Sequence, residues 1–335
     1  MSEQPTIAVL GTGRIGKMHA ELIARQVPGL DLHSVFDVYT EGAAAVAADL
    51  GVPAAASAEE IMASDADAVA ICTSTDTHVD LVVAAAEAGK AIFLEKPVSL
   101  NLEEVDRAVA AVKAAGVPLQ VGFNRRFDPA HAAVQQAVAN GAVGDVHMVK
   151  ITSRDPAPPP IDYIKVSGGI FCDMTIHDFD MARFVTGSEI VEVYVKAAVR
   201  IDPAIGEAGD VDTAMLLLTH ENGAFTYIDN SRQAVYGYDQ RVEAFGSAGM
   251  AASENPREHT AELHTADGTR QQNIPYFFLE RYIPSYLAEW EAFREGLASG
   301  TMPVTIDDGR APLVAGLAAW KSYHEGRPVR CEEIG

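Results

Sequence analysis

The sequence predicts an α/β protein in which a doubly wound parallel sheet is followed by a C-terminal α+β domain with an open, mainly antiparallel sheet. Three observations carry that expectation. Short apolar runs alternate with segments of helical period through the first 123 residues, the pattern of βαβ units. The first of these runs passes straight into a glycine-rich turn and then a helical segment. Beyond Phe123 the pattern gives way to longer strand-like runs, one pair of them joined at Asn222-Gly223, a strong hairpin signal. The chain is therefore divided into residues 1–123 and 124–335.

With 335 residues, 48% hydrophobic and 21% charged, the chain has enough apolar surface for a core in each domain. The formal net charge of −22 repels phosphate backbones and anionic membrane surfaces. No basic run longer than Arg125-Arg126 offsets it, so neither is an expected partner. Cys72, Cys172 and Cys331 are odd in number, widely spaced and contain no C-x-x-C pair, which suits a reduced, cytoplasmic setting. The N-terminal stretch lacks a basic region followed by an apolar core, and no apolar run reaches about 18 residues. A soluble, unprocessed chain is expected.

Thr6 to Leu10, "TIAVL", reads as a buried parallel strand that enters Gly11-Thr12-Gly13-Arg14-Ile15-Gly16. The following segment, Lys17 to Gln26, has helical spacing at Met18, Leu22 and Ile23. G-x-G-x-x-G between a strand and a helix fits a dinucleotide: the first glycine permits the tight turn, the second lets backbone approach a pyrophosphate, and the third lets helix and strand pack closely. The helix N-terminus supplies N–H groups and a positive dipole for the anion. A second run, Leu32 to Phe36, ends at Asp37, 21 residues beyond Gly16, where an acid would bind the ribose 2′-hydroxyl. Val38 and Tyr39 offer no cation for a 2′-phosphate, so NAD is expected rather than NADP.

Ala68 to Ser74 reads as a strand, Thr77 to Ala88 as a helix, Ala91 to Glu95 as a strand, Asn101 to Ala115 as a helix ended by Gly116, and Pro118 to Phe123 as a strand. In a doubly wound sheet ligands bind at the carboxyl ends of the strands. Those ends gather Gly11, Gly13, Arg14, Ile15, Asp37, Thr73, Thr75, Glu95, Lys96 and Arg126, and these are the candidate cofactor residues. In Glu95-Lys96-Pro97 the lysine falls beside the crevice that must hold the nicotinamide.

In the second domain Pro129 to Asn140 reads as a helix, Val146 to Ser153 as a strand and Pro156 to Pro160 as a loop. Phe171 to Thr186 reads as one helix, followed by strands at Val191 to Ile201, Thr213 to His220, Ala224 to Ser231 and Gln240 to Phe245. Helical patterns near Phe278 to Ala298 and Asp307 to Glu325 close the chain. The polar stretch "GIFCDMTIHDFD", Gly169 to Asp180, stands out. On a continuous helix Asp173 and His177 share a face at i and i+4, with Asp180 near it. Asp178 points about 100° away, as a solvated group or a structural partner whose removal should leave activity largely intact. Cys172 reads as a small hydrophobe. The spacing lacks a set of three convergent metal ligands, so no metal is expected, and a histidine and carboxylate can relay a proton near neutral pH.

The chain resembles the Gfo/Idh/MocA oxidoreductases through "GTGRIGKMHA", "STDTH", "LEKPVSL", "VGFNRRFDP", "ITSRDP" and "GGIFCDMTIHDFDMARF". The last three together look like the bacterial inositol dehydrogenase branch. The resemblance implies a Rossmann domain joined to an open-sheet substrate domain, and NAD as cofactor. It implies Lys96, Asp173 and His177 as catalytic residues, with His177 accepting the hydroxyl proton of a cyclic polyol, Lys96 bonding the reacting oxygen and Asp173 orienting the ring. It also implies a homotetramer and adds His78, in "STDTH", to the cofactor residues. Arg126 and Asp155, in "RRFD" and "SRDP", and Tyr236 are further substrate candidates, with Arg126 also at the nicotinamide end. A pyranose sugar dehydrogenase of the same family and a non-catalytic NAD-binding sensor are the rival readings.

Overall fold

The computed structural model describes residues 4–335; residues 1–3, the start of the stretch read above for a leader, lie outside it. The chain forms two compact units. One runs to Asn124 and takes in Tyr286–Arg310, and the other comprises Arg125–Ser285 and Ala311–Gly335. The single boundary expected after Phe123 places residues 286–310 in the second domain instead. Their place in the first unit has a packing cause, given below.

The first unit contains β1 (Thr6–Leu10), α1 (Arg14–Gln26), β2 (Asp31–Phe36), α2 (Thr40–Leu50), α3 (Ala58–Ala63), β3 (Ala68–Ile71), α4 (His78–Glu87), β4 (Ala91–Glu95), α5 (Leu102–Ala115) and β5 (Leu119–Gly122). Its five strands are parallel in the order β2-β1-β3-β4-β5. Ile7, Val9, Val69, Ile71, Ile92 and Leu94 are fully buried, as strands covered on both faces must be, which is why they read as unbroken apolar runs. Strand order reverses between β1 and β3, so their carboxyl ends at Leu10 and Ile71 flank the crevice where such sheets bind ligands. α2 and α3 were not read from the sequence. "TEGAAAVAADL" makes α2 from alanines with little large apolar surface, which leaves the helical period faint.

Residues 286–310 fall in this unit because they fill its core. Trp290 stacks on Phe93 of β4 at 4.4 Å between centroids, and Phe293 meets Phe93 edge-on at 5.9 Å. Val121 N–H donates to the Val304 carbonyl at 3.0 Å, and Gln120 Nε2 donates to the Glu289 carbonyl at 3.1 Å.

The second unit contains α6 (Pro129–Ala139), β6 (Val146–Arg154), α7 (Ile161–Ile164), α8 (Gly169–Asp173), α9 (Ile176–Thr186), β7 (Ile190–Ala198), α10 (Pro203–Glu207), β8 (Thr213–His220), β9 (Phe225–Ser231), β10 (Asp239–Gly246), β11 (Met250–Ser253) and the hairpin β12 (Glu262–Thr265) with β13 (Gly268–Gln271). The chain passes between the units within α11 (Phe278–Ser299) and α12 (Ile306–Glu325), and ends with β14 (Val329–Arg330) in the second. The large sheet has the order β11-β10-β6-β9-β8-β7-β14. All its pairs are antiparallel except β6 with β9. The β8–β9 turn carries Gly223 at φ +85°. Side chains alternate as a half-covered sheet requires: Val149, Ile151, Leu216, Leu218 and Ile228 join Val134, Phe179 and Val185 of α6 and α9 in one core, while Met148, Met215, Leu217 and Phe225 stay exposed on the opposite face.

The single helix expected over Phe171 to Thr186 is two. Met174 N–H and Thr175 N–H both donate to the Ile170 carbonyl, at 3.0 and 2.9 Å, so one bond reaches five residues back and the helix is interrupted there. Thr175 Oγ1 is tied away to Asn230 Oδ1 at 2.6 Å. Asp173 therefore ends α8 and His177 lies in the first turn of α9, so the two belong to successive helices rather than to the one continuous helix expected.

Asp178 is fully buried and a structural partner. It accepts from Arg125 Nη1 at 2.7 Å and Asn230 Nδ2 at 2.7 Å. Burial pushes its carboxyl up to about 6, against the pull of the Arg125 guanidinium. Asp178→Ala would leave Arg125 buried without its counter-charge and should destabilise the protein by about 3–5 kcal/mol. Of the two expected places for Asp178, the structural one holds and the solvated one is corrected by its burial. Denaturant unfolding checks this: an Asp178→Ala midpoint equal to wild type would show that the pair does not hold the unit together.

Candidate active site

In the first unit the glycine turn is shaped for close approach. Gly11 has φ +91°, and a Cβ there would stand 2.6 Å from the Cys72 carbonyl oxygen. A Cβ on Gly16 would overlap the Gly11 carbonyl, whereas one on Gly13 would meet nothing within 4 Å. The turn thus packs tightly on its two outer glycines and is open at the middle one, where a pyrophosphate must come near backbone. Gly13 caps α1 with no side-chain bond to the first N–H groups, which leaves the helix end and its dipole to an anion. Ile15 is half-buried and Arg14 exposed in the first turn of α1.

Asp37 closes β2 beside this turn. Its Oδ2 accepts from Thr12 N–H at 2.6 Å and Thr12 Oγ1 at 3.1 Å, and its Oδ1 from Tyr39 N–H at 2.9 Å. The exposed side chains that follow, Val38 and Tyr39, carry no cation. The carboxylate is oriented by backbone at the place where a ribose diol would lie. These features fit NAD on the structure's own terms. Beyond β3, Thr73 Oγ1 accepts from Thr77 at 2.7 Å and Thr75 opens a 3-10 turn. His78 is buried, with Nδ1 2.8 Å from the Pro97 carbonyl and Nε2 3.1 Å from the Thr73 carbonyl. Burial lowers its pKa. It ties the loop after β3 to the loop after β4, and both ring nitrogens face backbone.

Glu95, read as a cofactor residue, faces inward. Trp290 Nε1–H donates to His19 Nδ1 at 2.9 Å, so the His19 proton sits on Nε2 and is donated to Glu95 Oε1 at 2.8 Å. Glu95 Oε2 accepts the Lys96 backbone N–H at 3.2 Å. Lys96, half-buried and followed by a cis bond to Pro97, is thereby anchored from behind. The sequence reading missed this chain of bonds, although His19 lies inside the quoted "GTGRIGKMHA" and Trp290 is one of two tryptophans.

In the second unit Asp173 accepts from Tyr163 Oη at 2.8 Å and Arg232 Nη1 at 3.3 Å. Arg232, fully buried, also reaches Asp210 at 3.2 Å. Asp155, after β6, lies in the field of Arg232 and Asp173. Burial pushes its carboxyl up to about 6, with Asp173 raising and Arg232 lowering it. Asp173 thus bonds the guanidinium in whose field Asp155 lies, and His177 is half-buried in the first turn of α9. Arg126 donates to both oxygens of Asp180, at 2.8 and 2.6 Å, and lies over Phe184; that pairing engages the guanidinium and takes Asp180 away from the proposed relay. Tyr236 is grouped with Arg154 and Asp239, at 3.1 and 2.7 Å. Tyr163 and Arg232 were not singled out from the sequence; Arg232 follows the carboxyl end of β9, the only signal it gives. Among the described residues no three His, Cys, Asp or Glu side chains converge as a metal ligand set.

Two family models match the chain, an oxidoreductase family with an NAD-binding Rossmann fold over residues 6–123 and the GFO/IDH/MocA C-terminal domain over residues 131–252. The myo-inositol 2-dehydrogenase of Thermotoga maritima is 49% identical over 331 residues, covering 98% of this chain and 99% of that protein. A crystal structure of a myo-inositol dehydrogenase from Corynebacterium glutamicum is similar with a TM-score of 0.94 and 42% identity, covering 98% of each chain. The scyllo-inositol dehydrogenase of Lactobacillus casei, solved with NAD(H) and scyllo-inositol bound, is similar with a TM-score of 0.91 at 28% identity, covering 98% of this chain and 99% of that one. The parallel sheet, the glycine turn and these near full-length matches make the chain a member of the GFO/IDH/MocA family of NAD-binding oxidoreductases.

Proposed function

We propose that the protein oxidises a secondary alcohol of a cyclic polyol, an inositol, to the corresponding ketone with NAD⁺. The observation that carries this reading is the 49% identity, over nearly the whole of both chains, to a protein named for that activity. Bound NAD⁺ supplies the hydride acceptor. His177 takes the hydroxyl proton as the carbon gives up its hydride, so the alcohol loses two electrons and two hydrogens in all. Lys96 donates a hydrogen bond to the oxygen that gains negative charge. The Asp155 and Asp173 carboxylates accept bonds from neighbouring hydroxyls and fix the ring, with Tyr163 and Arg232 holding Asp173. Reduced, unpaired cysteines and a net charge of −22 support a cytoplasmic enzyme without nucleic-acid partners. No described helix is long and apolar enough to cross a membrane.

The assembly we propose is a homotetramer built on the open face of the second unit's sheet. Met148 pairs across strands with Phe225 and Phe245, and Phe245 with Met250; all four are exposed, a contiguous apolar patch of the kind that marks association. Phe225→Glu should lower the mass measured by analytical ultracentrifugation, and an unchanged mass would remove this face from the assembly.

Asp37 repels a 2′-phosphate, so kcat/KM with NAD⁺ should exceed that with NADP⁺ by at least about tenfold, roughly 1.4 kcal/mol. Asp37→Ala should narrow the ratio; equal use by wild type would mean that Asp37 does not meet the ribose.

Lys96→Met and His177→Ala should each lower kcat with inositol by about 10²-fold or more, while NADH binding, followed by fluorescence, survives His177→Ala. Activity should rise with pH through two groups, the imidazole becoming a base and Asp155 ionising near 6. His177→Ala should remove the first contribution and Asp155→Asn the second. Full activity in His177→Ala would rule that residue out as the base.

A further inference from the structure

Glu289, on the part of α11 that packs in the first unit, is fully buried, and neither of its carboxyl oxygens has a hydrogen-bond partner. Its backbone carbonyl takes the Gln120 Nε2 bond from β5, and Gln120 Oε1 also lacks a donor. The charge whose field acts on it is a like one. Glu95 at the end of β4 bears on it directly, and Cys72 after β3 feels both carboxyls. His19 on α1 faces Glu95 as the Nε2–H tautomer fixed by Trp290. An ionised carboxylate in this place would have no donor and a second carboxylate for a neighbour. Burial and Glu95 together hold the Glu289 pKa well above the usual carboxylate range.

We propose that Glu289 is a positioning residue that works as a neutral acid: while it keeps its proton, Glu95 is the single carboxylate behind Lys96, and when it ionises the His19–Glu95–Lys96 clamp opens. Glu95 is the partner that gives way, being 13% exposed where Glu289 is buried. Its departure frees the Lys96 backbone N–H and the loop that carries the lysine. The consequence for cofactor and alcohol rests on the dehydrogenase reading above; the protonation state does not. Above the ionisation of Glu289 the competent fraction falls about tenfold per pH unit, and apparent cofactor affinity falls with it. Stability follows the same group. With its folded pKa raised, Glu289's contribution is whole below the ordinary carboxylate range and is lost as pH rises from there toward the folded value.

Wild type, Glu289→Gln and Glu289→Met are compared by thermal midpoint and by NADH fluorescence titration from about pH 5 to about pH 9. Both variants remove the titrating group while keeping its length, and the methionine suits an apolar pocket if the amide does not fold. The midpoint of wild type should fall relative to the variants as pH rises, and its NADH affinity should weaken at the alkaline end while theirs stays level. Parallel curves in both measurements would overturn the proposal. Infrared spectroscopy of wild type at neutral pH reads the proton directly: the carbonyl stretch of a protonated acid, absent from a folded variant, supports it, and no such band overturns it. If these results hold while inositol is not oxidised, the functional reading fails and the role of Glu289 stands.

Discussion

The hydrogen bond from His19 to Glu95 is the joint on which the Lys96 loop of the first unit depends. Glu95 closes a buried strand, and one of its oxygens takes the imidazole N–H while the other takes the backbone N–H of Lys96. Without that pair of donors a carboxylate at the inner edge of the sheet would be a desolvated charge. With them it fixes where the lysine leaves the strand. The imidazole is itself set by the Trp290 indole, whose stacking on Phe93 brings residues 286–310 into the core. A segment far along the chain thus orients a loop that the first 123 residues build.

That dependence explains what was legible in the sequence. The strands of the first unit were readable because burial on both faces makes them uniformly apolar, and the glycine turn because its geometry admits few other residues. α2 escaped because alanine packs closely while leaving little hydrophobic contrast. The return of residues 286–310 could not be read, since helical period shows that one face is buried but not what buries it. A lone buried histidine or tryptophan likewise carries no sign of its partner.

The second unit teaches the same lesson about polar residues. The stretch around Asp173 and His177 declared itself by composition, yet its roles depended on a helix taken to be continuous. The extra bond to Ile170 divides it, and the aspartates then separate by environment. Asp178 and Asp180 are drawn into buried pairs with Arg125 and Arg126, while Asp173 is held by Tyr163 and Arg232 near Asp155. Three similar carboxylates of one stretch thereby come to sit in different surroundings according to the cation each meets, and spacing along one helix does not encode that.

Lys96 and His177 are proposed to act on one hydroxyl. A crystal structure of the protein with NADH and an inositol bound tests it most directly. One ring hydroxyl is expected within about 2.6–3.2 Å of both Lys96 Nζ and a His177 ring nitrogen, with neighbouring hydroxyls on the Asp155 and Asp173 carboxylates. A ring whose carbon nearest the nicotinamide carries a hydroxyl out of reach of His177, or bonded to neither residue, would contradict it.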